Sequence, residues 1–135
     1  MSGSGWRDYD FAVVRVVPRV DLETFENVGV VLHSRTEEFL DARIVVHPTS
    51  LRVLVPAADH ELLARYLSNY VSVARGDASA GPLALLPTSE RFHWLTAPRS
   101  DVIQCSPVHG GRTKDLPGTL DTLFDRYVED PAEHA

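Results

Sequence analysis

The segment Tyr9-Asp10-Phe11-Ala12-Val13-Val14-Arg15-Val16-Val17 restricts the fold more than any other part of the chain. It is β-branched and apolar at consecutive positions, so both faces of the strand it forms need cover. That suits a central strand better than an edge. Pro18 ends it, because proline cannot donate to a ladder. Arg15 is the exception within it, since a charge in an apolar strand must find a partner or water. Asp10, Glu23 and Glu26 are the acids within reach along the chain, and snorkelling to the sheet edge is the alternative.

Downstream, Asn27–His33 and Phe39–His47 read as a hairpin. A loop centred near Thr36 sets Leu32 against Leu40, Val30 against Ala42 and Val28 against Ile44 on one apolar face. The same register puts Gly29 opposite Arg43. Pro48–Pro56 is ambiguous and compatible with a short helix. A long helix follows, with Asp59 as its cap and Glu61 in the first turn. Leu63, Tyr66, Leu67, Tyr70 and Ala74 recur at helical spacing, Arg75 lies in the last turn, and Gly76 stops it.

A Gly- and Pro-containing connection, 76–88, leads to a second expected hairpin, Arg91–Thr96 with Asp101–Ser106 about an Ala97-Pro98-Arg99-Ser100 turn. That register pairs Trp94 with Ile103 and Phe92 with Cys105. Ser106–Lys114 reads as a polar loop. Leu116, Leu120, Leu123, Phe124, Tyr127 and Val128 then mark an amphipathic helix ending before Pro131. Hairpins plus two long helices, without βαβ alternation, predict an α+β fold. Its antiparallel sheet carries two main amphipathic helices packed on one face. The organisation expected is a flexible tail at 1–8, one α+β domain at 9–130, and a C-terminal tail at 131–135.

With 135 residues the chain can bury a core without metals or disulfides. Cys105 is the only cysteine, which rules out an intramolecular disulfide and makes the cytoplasm the expected compartment. No apolar run approaches the ~20 residues of a membrane span, and the N-terminus has no signal-peptide pattern. A net charge of −6 argues against nucleic acid or an anionic membrane as partner. The scattered histidines have no metal-ligand spacing, no phosphate loop or dinucleotide fingerprint is present, and no cofactor is expected. Cys105 is assigned to the core, and Ser100 and Ser106 lack the surroundings of an activated nucleophile.

One constellation carries chemical interest. On the second hairpin's register Arg91, His93, Gln104 and Ser106 share a face, with Arg99 in the turn and His109 and Arg112 following in the Gly110-Gly111 loop. Guanidinium forks, an imidazole and glycine amides together could hold a phosphate or carboxylate. The same residues are equally what the solvated face of a half-buried sheet would show.

Taken together, Tyr9–Arg19, Phe25-Glu26-Asn27-Val28-Gly29-Val30, Arg91-Phe92-His93-Trp94-Leu95, Pro98-Arg99-Ser100 and Gln104-Cys105-Ser106-Pro107-Val108-His109 resemble the bacterial domain-of-unknown-function family 3037. The resemblance runs from about Tyr9 to Val128. It implies an intracellular bacterial protein encoded beside a HipA-like kinase, with that kinase as partner, and it transfers no catalytic residue. The expectation is therefore a non-enzymatic accessory or binding module. The alternative is an enzyme or binder for a small phosphorylated or carboxylated ligand at the Arg/His site.

Overall fold

A computed structural model describes residues 5–18, 24–56, 58–98 and 102–129. Its strands are β1 (Arg7–Val16), β2 (Glu26–Ser34), β3 (Phe39–Ile44), β4 (Ile103–Cys105) and β5 (His109–Thr113). Its α-helices are α1 (Pro48–Leu54), α2 (His60–Arg75), α3 (Thr88–Thr96) and α4 (Leu116–Phe124), the last continuing into a π-helical turn, Asp125–Glu129. All strand pairs are antiparallel, in the order β3-β2-β1-β4, and β5 also pairs with β1. The antiparallel α+β class is as the sequence predicts. β1 opens at Arg7, inside the stretch expected to be a tail.

The two-sided burial of β1 is met by helices on both faces, which corrects their expected placement on one. Ala12, Val14 and Val16 join Val31, Ala42 and the apolar residues of α2 and α3 in a large core. Phe11 and Val13 join Val30, Leu32 and the α4 leucines Leu116, Leu120 and Leu123 in a smaller one. Alternate residues of a strand face opposite ways, so the consecutive buried residues Phe11, Ala12, Val13 and Val14 require this arrangement. A bulge between Val14 and Arg15 shifts the β1–β2 register. Because of it, Val28 and Val31 sit in the same core although their spacing is odd.

The first hairpin forms with a register one residue away from the expected one. Val31 faces Ala42, Val30 faces Arg43, and Gly29 faces Ile44. The expected register maximised apolar pairs on a single face, and that criterion has no force for a strand covered on both. Gly29 is required here: a Cβ would stand 2.6 Å from Ile44 Cγ1 and 2.7 Å from the Arg43 carbonyl oxygen.

α2 forms as its sequence signals dictate. Asp59 accepts a hydrogen bond from the Leu62 amide, and Gly76 takes the left-handed conformation at φ 73°. α1 resolves the ambiguous Pro48–Pro56 stretch as helix.

The second hairpin does not exist. Residues 88–96 are helix, and β4 pairs with β1 at Val14–Val16, so neither the Trp94–Ile103 nor the Phe92–Cys105 pairing is made. The Phe92/Trp94 alternation suggested a strand, but Arg91, Phe92 and Leu95 are the buried residues, at helical spacing. Trp94 remains 44% exposed. The expected polar loop is corrected too, because residues 109–113 pair with Arg7–Phe11 as β5. Gly111 permits that pairing, since a Cβ there would overlap the Tyr9 ring.

Candidate functional site

With the hairpin gone, the residues proposed for an anion site separate. Arg91 is buried, and its Nη1 donates to the Val73 and Ala74 carbonyls at 3.0 and 3.1 Å. It thereby adds a second donor to the Val73 carbonyl, which also accepts from the Gly76 amide, and supplies one to the Ala74 carbonyl, with its positive charge at the favourable end of the helix dipole. Ser106 is buried as well; its Oγ accepts from the Val13 amide at 2.8 Å and donates to the Pro107 carbonyl at 2.9 Å. Both side chains therefore serve the fold.

His93 is exposed on α3. Gln104 stands opposite Arg15, and His109 stands opposite Phe11, with its ring 5.6 Å from the Phe11 ring. Arg112 pairs with Asp8 at 3.3 Å, and both are exposed. By strand alternation, Gln104 and His109 lie on the α4 side of the sheet and Arg112 on the α2 side. Arg99 lies outside the described residues. The six described members do not converge on one face. Among the described residues, no His, Cys, Asp or Glu group of three or more is placed to hold a metal.

Arg15 finds an aromatic partner, its guanidinium carbon sitting 4.1 Å from the centre of the Phe25 ring. A cation over a ring face is attracted by the ring's quadrupole. The sequence expectations for Arg15, an acidic partner or snorkelling to the sheet edge, do not include this interaction. Cys105 packs against the large core, and its Sγ lies 3.2 Å from Tyr70 Oη.

What the structure does bring together is a groove of about 510 Å³ between α2 and the β4 end of the sheet. α2 contributes Leu62, Tyr66, Asn69 and Tyr70, which recur at the spacing of one helix face. Trp94 of α3 and Ile103 of β4 close the other side. Tyr66, Trp94 and Val102 are large apolar side chains left 56%, 44% and 41% exposed around it. Tyr70 Oη donates to the Leu95 carbonyl at 2.9 Å, tying α2 to α3. Asp59, which lines the same groove, has one carboxylate oxygen engaged in capping α2.

The sequence reading assigned Tyr66 to the core stripe of α2 and Trp94 to the inside of a hairpin. The missed signal was the width of the α2 stripe. Leu62 and Tyr66 lie beside the buried line of Leu63, Leu67 and Tyr70, and a helix that is apolar beyond its core stripe has a further surface to cover.

A second feature lies under α3. His33 of β2 is 5% exposed and stacks on Phe92 with ring centres 4.8 Å apart. Burial holds its pKa below the ordinary 6.5, against the opposing pull of Asp10 and with help from the Arg35 and Arg91 cations.

No helix among the described residues is long and apolar enough to cross a membrane. The family model described as "Protein of unknown function (DUF3037)" matches residues 11–128. No curated protein and no solved structure matches the chain.

Proposed function

The chain belongs to this family, and we propose that it is an accessory module that binds a protein partner in the α2–β4 groove, the partner being the HipA-like kinase that the resemblance implies. The carrying observation is that Tyr66, Trp94 and Val102, from three separate parts of the chain, are exposed around a single concavity. Large apolar side chains left in water at one place mark interaction surfaces. Tyrosine and tryptophan dominate interface energetics, because they offer large, rigid contact area at low entropic cost.

The occupant that fits is a partner segment presenting one aromatic or aliphatic side chain with a basic residue beside it. The apolar anchor would enter between Tyr66 and Trp94, while the basic residue meets the Asp59 carboxylate. The net charge of −6 would favour the approach of a basic surface.

Co-expression with the kinase, followed by calorimetry on Trp94→Ala and Tyr66→Ala, tests the reading. Each variant is expected to weaken association by roughly 30-fold, the scale of an interface hot spot. The melting temperature should fall only slightly, because neither side chain belongs to the buried core. Two folded proteins that fail to associate, or a Trp94/Tyr66 double variant that binds like the parent chain, would overturn it.

A further inference from the structure

Away from the groove, Ser89, His33 and Asp10 meet at the N-terminus of α3. Ser89 is exposed in the first turn of that helix, and its Oγ lies 3.3 Å from His33 Nε2. The His33 ring is clamped from behind by Phe92. Asp10 is paired directly with His33 across β1 and β2, so the two side chains project to the same face. The hydroxyl and imidazole are thus within hydrogen-bond reach, as in an activated nucleophile, while Asp10 acts on the imidazole through its charge rather than by direct contact.

We propose that Ser89 is a nucleophile, with His33 as its general base, that accepts acyl groups from small neutral esters. In the first step Ser89 Oγ forms a bond to the ester carbonyl carbon as its proton moves to His33 Nε2. The tetrahedral adduct collapses with cleavage of the ester C–O bond, and the departing alkoxide takes the proton from His33 as an alcohol. Water then repeats the sequence on acyl-Ser89, giving the carboxylic acid and restoring both side chains. Water is the only co-reactant.

Three further observations support the step. His33 is held neutral by its burial, so its Nε2 can take a proton at neutral pH. The groups that bear on its charge are Asp10 from β1, Arg35 from the loop after β2, and Arg91 from α3. α3 begins at Pro87 with no side-chain cap, so the first-turn amides beside Ser89 have no intrahelical acceptor and could stabilise the oxyanion. Glu90 in the same turn sets the preference for neutral over anionic esters. Asp10 is a positioning residue that acts through His33.

The test treats the full-length chain with a fluorophosphonate and, separately, with p-nitrophenyl acetate, and reads the result by intact mass, peptide mapping and nitrophenol release. A single adduct is expected on Ser89, absent in Ser89→Ala, a change at an exposed position. His33→Gln should slow labelling by at least about tenfold, within the range of general-base contributions. In the parent chain the labelling rate should rise with pH to a plateau whose midpoint lies below 6.5. In Asp10→Asn that midpoint should move lower still, which a merely structural aspartate would not produce. Absence of an adduct on Ser89 would overturn the proposal, as would labelling confined to Cys105 or a tyrosine. So would a rate that climbs through pH 8 without a plateau, a reading that needs no variant to fold.

Discussion

The two faces of the sheet are built differently. On one, α4 lies across β2 and β3 and closes a small core of Phe11, Val13, Val30, Leu32 and three α4 leucines. On the other, α1, α2 and α3 share a larger core with residues of all strands except β5. A single helix with one apolar stripe can bury that stripe completely. Three helices meeting over one face leave seams between them, and the open groove and the buried His33 both lie along such seams. Chemistry-bearing side chains gather where elements meet at angles, and the singly covered face has few such places.

The first way to break this comparison is to cut each core at its centre. Leu67→Ala removes a side chain with 0% exposure from the larger core, and a loss of about 4 kcal/mol is expected. Leu120→Ala on the α4 side should cost nearer 2–3 kcal/mol, because its cluster has fewer members to lose contact with. Urea denaturation of both variants measures the difference. A larger loss for Leu120 than for Leu67 would place the main stabilising core on the other face.

The next effect concerns how the seam between α2 and α3 is held. Replacing Arg91 by Met keeps most of its bulk but removes the donors to the Val73 and Ala74 carbonyls. About 2 kcal/mol should be lost, since hydrogen bonds to charged groups are the stronger kind. Amide exchange should quicken selectively in the last turn of α2. Unchanged protection there would mean that Gly76 alone closes the helix.

The smallest expected effect is a pH dependence unique to the α3 side. His33 has its pKa lowered in the folded state, so below 6.5 the unfolded chain binds the proton more readily than the folded one. Its contribution to stability is therefore complete above 6.5, and it declines as pH falls from there toward the lower folded pKa. Thermal melts of the parent chain should show this extra loss, and His33→Gln should not. Parallel profiles for the two would show that His33 is solvated in a way its burial does not suggest.

Much of the fold was legible in the residues. β1 shows its need for two-sided cover in the consecutive apolar residues Phe11–Val14, although the helices are expected on one side. α2 was marked at both ends by Asp59 and Gly76, and α4 by its leucine spacing. The strand expected within Asp101–Ser106 forms as β4, but Thr88–Thr96 and His109–Thr113 depart from expectation. Thr88–Thr96 carries a short alternation and a helical spacing at once, and nothing within nine residues decides between them. Docking of Phe92 onto His33 and of Arg91 onto the end of α2 decided it. His109–Thr113, with two glycines and polar neighbours, has little strand propensity of its own. It became a strand because the first half of β1 offered an unpaired edge.

Sequence alone determined the elements whose stabilising contacts are local: capped helices, a strand ended by proline, a hairpin joined by a short loop. Tertiary structure decided everything that depends on distant partners. It set which face each helix covers, placed Tyr66 and Trp94 around a shared groove, and brought Ser89 to His33 across 56 positions of chain. The physical reason is that periodicity and capping act within a turn or two of the chain. Burial and register are settled only when segments compete for the same surface.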